Sequence, residues 1–285
     1  MDYRKIEWIF LIAFLGLNIF LFSIYNESQN EENSISRYNQ TDAIEKRLAN
    51  DNISVSDKLS NEKLEGYYLS GEQTDMRTAL ENAREKRGDD QLLSTGISIS
   101  ENTLTSVLKN NSYISEEKIG DSLTEFLQKK DRVLYGDEYT YLSRFSNTED
   151  DYHQLVAAQT FEGIPFYDET ARIDISLEKS GDLLKISKYT QTHISEIEML
   201  REKMDLYSER DIINTLYINN RIPSGSKIKW SQLAYSRILK VREKNVYVPV
   251  WFVAIETTEK TVQLESVNAI SNTITTNAIV PKINN

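Results

Sequence analysis

The stretch Trp8–Tyr25, WIFLIAFLGLNIFLFSIY, divides this chain of 285 residues into two very different parts. Its residues include no Asp, Glu, Lys, Arg or His, whereas 27% of the whole chain is charged. A helix from Ile6 to Tyr25, rising about 1.5 Å per residue, spans roughly 30 Å and matches the hydrocarbon core of a bilayer. The sequence therefore predicts a transmembrane anchor at residues 6–25, followed by a separate folded region.

A cleaved signal peptide is the competing interpretation, because it also starts with a charged tip and an apolar run. The apolar region of such a peptide has roughly 7–15 residues and is shorter than the run found here. The exit sequence Ser23-Ile24-Tyr25-Asn26-Glu27 offers no small-x-small cleavage site, and the chain has no Cys for lipid attachment. These features favour an anchor that is retained.

The basic residues at the start of the chain predict its orientation in the cell membrane. Arg4 and Lys5 precede the apolar run, whereas Glu27 and Glu31 follow it. By the positive-inside rule, residues 1–5 form a cytoplasmic tip and the C-terminal domain is extracellular. The prediction is a single-pass protein that contacts the lipid bilayer through its anchor.

The composition beyond the anchor narrows the range of functions. The chain has 33 Lys and Arg against 44 Asp and Glu, a formal net charge of −11. Nucleic acid is not an expected partner, because neutralising phosphates requires a basic surface. The absence of Cys excludes disulfides, thiol catalysis and thiolate metal sites. With 39% hydrophobic residues, the chain has enough apolar material for a folded ectodomain.

The chain from the anchor to residue 195 begins as a stalk and then alternates between helix and strand patterns. Residues 26–40 have few large apolar side chains and no sustained period, which is typical of a hydrated stalk. Caps and i, i+3, i+4 spacing predict helices, and alternating β-branched and aromatic residues predict strands. Four helices are predicted here. One begins near Asp42, an exposed one covers Met76–Arg87, one includes Leu104, Val107 and Leu108, and one begins at Ser115. The predicted strands lie near Ile53 and Val55, at Gly66–Gly71 and Ile97–Ile99, and at residues 135–145, 152–161, 170–177 and 183–191, the last four as an antiparallel meander.

Residues 196–285 repeat the order of helix and then strands. A helix is predicted from Ser208 to Asn220, and strands at residues 227–240, 246–257, 261–269 and 270–274. Pro165 and Pro249 interrupt strand-like runs, so each is expected at a sheet edge, a bulge or a strand start. The predicted fold class is therefore α+β: a single N-terminal transmembrane helix followed by a two-lobed ectodomain. Each lobe, 41–195 and 196–285, is expected to pack helices on an antiparallel sheet. Whether the lobes arose by duplication stays open.

The residues that could carry chemistry give no catalytic or metal-binding prediction. His153 follows Asp150 and Asp151, but adjacent strand residues point to opposite faces and no second His cluster accompanies them. His193 is expected to be a surface or hydrogen-bonded residue without a catalytic neighbour. The run Ser224-Gly225-Ser226-Lys227 lacks the spaced glycines of a phosphate loop. The sequence therefore predicts no catalytic residue, no metal and no cofactor, and we do not expect an enzyme.

The anchor helix has two faces with features of helix contacts in membranes. At about 100° per residue, one side carries small residues that permit close approach, and the opposite side carries a lone amide in the apolar span. A Gly or a single Asn also occurs in anchors that only tether, so each face taken alone stays open. Two faces would suit two partners. The predicted partner-binding residues are Ala13, Gly16 and Phe20 on the first side and Leu11, Asn18 and Phe22 on the second.

Several segments of the chain resemble a known bacterial family. MDYRKIEWIFLIAFLGLNIFLFSIY at the start, then IEKRLANDNISV, GYYLSG and the closing VYVPVWFVAIE and VNAIS, are similar to the YycI family. The similarity covers nearly the whole chain, and the opening and the YYLSG segment are its more specific parts. The closing strand pattern is shared more loosely with PepSY-like and YycH domains.

The resemblance implies a membrane-anchored accessory protein of the YycG (WalK) sensor histidine kinase, in the YycFG (WalKR) two-component system. Such a protein is a non-enzymatic regulator that associates with the kinase and a YycH-like co-regulator, largely through transmembrane helices, and so sets an output that controls cell-wall metabolism. The alternative is an extracytoplasmic PepSY-type binding module for a peptide, protease or wall ligand, with the anchor only a tether. Replacing the anchor by an unrelated transmembrane helix separates the two.

Overall fold

The fold is seen in a computed structural model that describes residues 8, 11, 14–18, 20, 21, 44–88, 96–108, 112–147, 153–181 and 183–275. The chain divides into two units, Met1–Asp51 and Asn52–Asn285. In the first unit, residues 8, 11, 14–18, 20 and 21 are helical and exposed. Helix α1 covers Ile44–Asn50 and buries Ile44 and Leu48, which confirms the short helix predicted near Asp42.

The described residues include no helix with both the length and the apolar character needed to cross a membrane. The anchor at residues 6–25 therefore stays a prediction. The cytoplasmic tip at residues 1–5 and the stalk at residues 26–40 lie outside the described residues.

Sheet 1 of the second unit is built around one long hairpin, formed by β14 (Lys227–Val241) and β15 (Lys244–Glu256). Strands β14 and β15 pair antiparallel from Lys227↔Glu256 to Val241↔Lys244. On the other side, β15 pairs with β3 and then with β16, while β3 also pairs with β12. The strands of sheet 1 are β1 (Ser54–Val55), β3 (Leu69–Gln73), β12 (Ile194–Met199), β14 (Lys227–Val241), β15 (Lys244–Glu256), β16 (Val262–Asn268) and β17 (Thr273–Ile274).

Pro249 lies inside β15, where the strand changes partners. Lys244–Tyr247 pairs with β3 and Val250–Glu256 pairs with β16, so Pro249 falls between the two ladders. Its own pair is Tyr235 on β14. Pro has no N–H to donate. At the gap between β3 and β16, no partner strand requires a hydrogen bond from the backbone nitrogen of residue 249. The expected edge, bulge or strand start is therefore wrong for Pro249, which instead sits at a junction of partner strands. Pro165 closes a strand of two residues.

Sheet 2 takes its strands from residues 97–191 in the order β4-β5-β11-β10-β8-β7. Strands β8, β10 and β11 form the predicted antiparallel meander. Gly181, at a φ of 66°, turns the chain between β10 and β11. The strands of sheet 2 are β4 (Ile97–Ser100), β5 (Thr103–Val107), β6 (Tyr113–Ser115), β7 (Tyr139–Tyr141), β8 (His153–Phe161), β9 (Ile164–Pro165), β10 (Arg172–Ser180) and β11 (Leu183–Gln191). Strands β2 (Glu65–Gly66) and β13 (Met204–Asp205) form a separate pair.

Three further helices begin at the expected places. Helix α2 (Met76–Arg87) is capped by the Asp75 carboxylate and ends at Gly88. Helix α3 (Ile119–Leu127) follows a 3₁₀ turn at Glu116–Lys118. Helix α4 (Glu209–Ile218) begins with a capping box between Ser208 and Asp211. The prediction of an exposed Met76–Arg87 is wrong for one side of α2, because Met76, Ala79 and Leu80 are buried in the core.

Strand β8 shows how the layers of the second unit are arranged. Its Leu155 and Ala157 pack in the core that includes residues of α2 and α3. Its Val156 and Ala158 pack in a second core with Val248, Val250 and Phe252 of β15. Since successive side chains of a strand point to opposite faces, sheet 2 lies between helices α2 and α3 on one side and sheet 1 on the other.

Two secondary-structure predictions fail in sheet 2. The helix expected through Leu104, Val107 and Leu108 is strand β5, and Glu101 turns the chain into it with a φ of 51°. Thr103 and Thr105 favour a strand, and i, i+3, i+4 spacing over so few residues fits either structure. The strand expected at residues 135–145 is limited to Tyr139–Tyr141, with 3₁₀ turns at Gly136–Glu138 and Ser143–Phe145.

The α+β class with antiparallel-rich sheets is confirmed. Sheet 1 combines strands from both sides of residue 195: β1 and β3 precede it, β14 to β17 follow it, and β12 includes it. The boundary between lobes at 195/196 stays a prediction.

Candidate functional site

Four of the six residues predicted to bind partners lie in the described part of the chain: Leu11, Gly16, Asn18 and Phe20, all helical and exposed. The side-chain nitrogen of Asn18 donates to the Phe14 carbonyl oxygen at 3.0 Å, so one amide hydrogen is already satisfied within the helix. In the described structure, a Cβ at Gly16 would meet no atom within 4 Å. Ala13 and Phe22 lie outside the described residues. Partner contacts of all six residues stay a prediction.

A hydrogen-bonded group of titratable side chains lies where the chain passes from sheet 2 to sheet 1. His193 follows β11 and precedes β12, and it is only 5% exposed. Its Nδ1 lies 2.7 Å from Thr74 Oγ1, and its Nε2 lies 3.0 Å from Glu138 Oε2. We call Thr74, Glu138, Gln159 and His193 the polar joint, because their hydrogen bonds connect segments of both sheets.

Gln159 of β8 completes the polar joint from the side of sheet 2. Its amide nitrogen donates to Glu138 Oε2 and to the Ile194 carbonyl oxygen, each at 3.0 Å. Its amide oxygen accepts from the Ile194 N–H at 2.7 Å. The Gln159 side chain therefore binds both backbone groups of Ile194, as a neighbouring strand would.

The local backbone explains how Glu138 reaches the joint. Tyr135 adopts a left-handed φ of 50° and starts the 3₁₀ turn that carries Glu138. Its ring stacks on the His193 ring at a centroid distance of 4.2 Å and covers it. The next residue, Gly136, approaches the Leu127 carbonyl so closely that a Cβ would overlap the oxygen, so this turn requires glycine.

The electrostatics of the joint favour an ionised carboxylate. The hydrogen bond from His193 lowers the pKa of Glu138, and the bond from Gln159 acts in the same direction. The Glu138 side chain remains about half exposed, at 48%, so solvent screens this pair.

A hydroxyl, an imidazole and a carboxylate in sequence are also the groups of nucleophilic triads. The expectation that His193 has no such neighbour is therefore wrong, whereas the expected hydrogen bonding is confirmed. The observed bonds tie Thr74 at the start of α2, Glu138 of the 3₁₀ turn and Gln159 of β8 to one point of the chain. This pattern fits a structural joint between the sheets.

A second buried polar group links sheet 1 to the loop before β10. The Asp168 carboxylate accepts hydrogen bonds from the N–H groups of Thr170 at 2.7 Å and Arg237 at 2.8 Å, and from the Thr170 hydroxyl. The Thr170 hydroxyl also lies 2.9 Å from the Tyr247 hydroxyl. Burial raises the pKa of Asp168, and these hydrogen bonds oppose the rise.

Other residues considered for chemistry are not brought together. His153 lies half-buried on β8, opposite Leu177, while Asp150 and Asp151 fall outside the described residues. Across the described ranges, no group of three or more His, Asp or Glu side chains is arranged to hold a metal ion. The sequence pattern did not reveal the partners of His193. Thr74 and Glu138 are distant from it in the chain, and neither stands in a motif that points to a histidine partner.

Comparison with known protein families places residues 29–270 in the family described as YycI protein. The chain belongs to the YycI family. As a family, YycI proteins are regulators of the YycFG (WalKR) two-component system, and their partner is a kinase of such a system. Among solved structures, an uncharacterized protein from Eubacterium rectale is similar, with 11% identity over 78% of this chain and 88% of that chain and a TM-score of 0.46. A comparison with curated proteins found no match.

Proposed function

We propose that this YycI-family chain is a non-enzymatic regulator of an essential cell-wall sensor histidine kinase. It acts by transmembrane-helix and ectodomain contacts with the kinase and with a YycH-like co-regulator. The observation that carries the proposal is the family match over residues 29–270, which starts just after the apolar run. The structural role of the polar joint adds support, because its hydrogen bonds connect segments of both sheets.

The proposed location is the cell membrane, with a single pass, a cytoplasmic N-terminus and an extracellular C-terminal domain. The uncharged run Trp8–Tyr25 and the basic pair Arg4 and Lys5 support it. This location would place the anchor beside the transmembrane helices of a sensor kinase.

Close packing and a polar side chain are the two physical means by which the anchor would recognise partner helices. In lipid, helices gain little from the hydrophobic effect, so van der Waals contact at small residues and interhelical hydrogen bonds drive association. Gly16 offers the close approach, and Asn18 offers an amide that keeps one bond to Phe14. The kinase and the co-regulator would each use one of these faces.

Exchange of the anchor tests the proposal. Residues 6–25 are replaced by an unrelated transmembrane helix, and the matched control replaces the stalk at residues 26–40 by a polar linker of equal length. Co-purification of the kinase and co-regulator from membranes and kinase output are measured for each chain. We expect the anchor exchange to reduce both and the stalk exchange to preserve them. Full binding and output after the anchor exchange would show that the anchor only tethers the protein.

A further inference from the structure

A cavity of about 550 Å³ opens on sheet 1 beside the turn of the β14–β15 hairpin. Strand register explains how its floor forms, because directly opposite residues share one face of a sheet. Val246 of β15 lies opposite Ser70 of β3, and Ser70 lies opposite Glu198 of β12. Lys244 lies opposite Val241 across the hairpin turn. We call this cavity the hairpin cleft. Its size is within the range of sites that bind ligands in proteins, about 300–1,000 Å³.

Apolar side chains form the open wall of the hairpin cleft. Leu200 is 49% exposed and Val241 is 50% exposed, and both line it. Leu239, two residues before Val241 on β14 and directly opposite Val246, is also more than half exposed. Exposed apolar side chains that cluster around a concave site and are bordered by charges are typical of a surface that binds another protein.

An unpartnered polar group lies in the floor of the hairpin cleft. Ser70 lines the cleft and is only 3% exposed, and its hydroxyl oxygen has no hydrogen-bond partner. A buried hydroxyl without a partner costs free energy. A peptide N–H or C=O group that hydrogen-bonds the Ser70 hydroxyl from the cleft would remove this cost.

The rim of the cleft carries an excess of negative charge. Three acidic residues, Glu72, Glu198 and Glu243, line it against two basic residues, Arg242 and Lys244, for a sum of −1. The Lys244 ammonium lies 3.0 Å from a Glu198 oxygen and 3.8 Å from a Glu72 oxygen, so its charge is already shared by two carboxylates. The chain as a whole carries −11. This small negative sum favours a basic partner over an anionic one.

We propose that the hairpin cleft binds an apolar side chain of a second polypeptide that carries Lys or Arg beside it. The apolar wall receives the side chain, Ser70 bonds the backbone of the entering segment, and the glutamates of the rim attract its basic residues. This binding is measurable whether or not the chain regulates a kinase, so its failure and a failure of the proposed function are separate results.

Fluorescence anisotropy with the full chain in lipid nanodiscs tests the cleft. The probe is a labelled peptide Lys-Leu-Lys-Leu-Lys, compared with Lys-Ser-Lys-Ser-Lys and Glu-Leu-Glu-Leu-Glu. The double variant Leu200→Ser with Val241→Ser removes half-exposed apolar contacts without opening a core. Its matched control, Val107→Ser with Leu183→Ser, changes side chains of similar exposure on sheet 2, at 48% and 42%.

We expect the first peptide to bind about tenfold more tightly than the other two, and the cleft double variant to lose about tenfold in affinity. The control double variant should bind within about twofold of the parent chain, as expected for sites remote from the cleft. Ser70→Ala should weaken binding by about threefold, the effect of one hydrogen bond, with an unchanged circular dichroism spectrum.

Four outcomes overturn the proposal. The first is equal binding of all three peptides, and the second is equal binding by both double variants. The third is a dimer of this chain that the cleft variant dissociates in sedimentation equilibrium, because the cleft would then hold a second copy. The fourth is competition by zwitterionic lipid vesicles as strong as competition by unlabelled peptide, because a lipid chain would then be the occupant.

Discussion

The Gln159→Leu substitution is the sharpest test of the polar joint. The Thr74 N–H donates to the His193 carbonyl at 2.9 Å, which continues the pairing of β3 with β12 by one residue beyond the ends of both strands. Bonded and non-bonded pairs alternate along antiparallel strands. The next pair, Ile194 with Gln73, is therefore non-bonded, and the N–H and C=O of Ile194 point away from β3. The Gln159 amide is the partner of both.

Leu has nearly the volume of Gln but no polar atom, so the variant leaves two backbone groups without partners in a buried place. Gln159 is only 2% exposed and Ile194 only 1%. Each buried group that loses its partner costs about 1–3 kcal/mol, which gives about 2–6 kcal/mol for the pair. Loss of the bond to Glu138 adds little, because that carboxylate is half exposed and solvent can replace the bond.

Urea unfolding of the purified full chain, followed by far-UV circular dichroism, measures the effect. The matched control is Gln154→Leu on the same strand, where the side chain is exposed and, among the described residues, bonds Asp174 at 3.2 Å. We expect the control to change the free energy of unfolding by less than about 0.5 kcal/mol. A loss below about 0.5 kcal/mol for Gln159→Leu, with the same urea dependence as the parent chain, would refute the reasoning about Ile194.

Three further predictions concern topology, acid stability and the anchor. Protease added to intact wall-stripped cells should digest the region beyond Asn26 while full-length protein stays in the membrane fraction of untreated cells; recovery of a soluble, N-terminally shortened chain as the main product would contradict the retained anchor. His193 lowers the pKa of Glu138, so the stability from this pair is present above the unfolded pKa of the carboxyl group, about 4.5, and is lost as the pH falls through the lower folded value. Glu138→Gln should therefore reduce the loss of unfolding free energy over that pH window by less than about 1 kcal/mol, because the side chain is half exposed. Identical plots of unfolding free energy against pH for the variant and the parent chain would count against the pair. Asn18→Leu should weaken co-purification of a partner by about threefold and at most roughly fifteenfold, and Gly16→Leu by as much or more, without loss of membrane insertion; unchanged association in both variants would remove the anchor from partner recognition.

The sequence predicted the elements whose signals are local. The helix predicted from Ser208 begins with a capping box between Ser208 and Asp211, in which nearby side chains satisfy the first free N–H groups. The meander of β8, β10 and β11 was predicted from the sequence because β-branched and aromatic residues alternate with others in each strand, and a turn with Gly181 joins the last two strands. Net charge and the lack of Cys likewise belong to the sequence alone.

Short segments were predicted poorly because two periods fit the same few residues. Leu104, Val107 and Leu108 match a helical spacing, yet Leu104 is fully buried between β4 and β11, and the ladder on both sides decides its conformation. Pro249 is tolerated inside β15 only because β3 ends and β16 begins beside it. No local pattern contains that information, since the two partner strands are far apart in the chain.

The sequence by itself determined the apolar run, the acidic charge, the α+β texture and the family resemblance. The tertiary structure decided which distant residues meet. It joins Thr74, Glu138 and Gln159 at His193, and it brings Ser70 and Leu200 to the same cleft as Val241. The physical reason is that periodicity specifies which face of each element is buried, whereas pairing and packing between segments distant in the chain specify which side chains share that face.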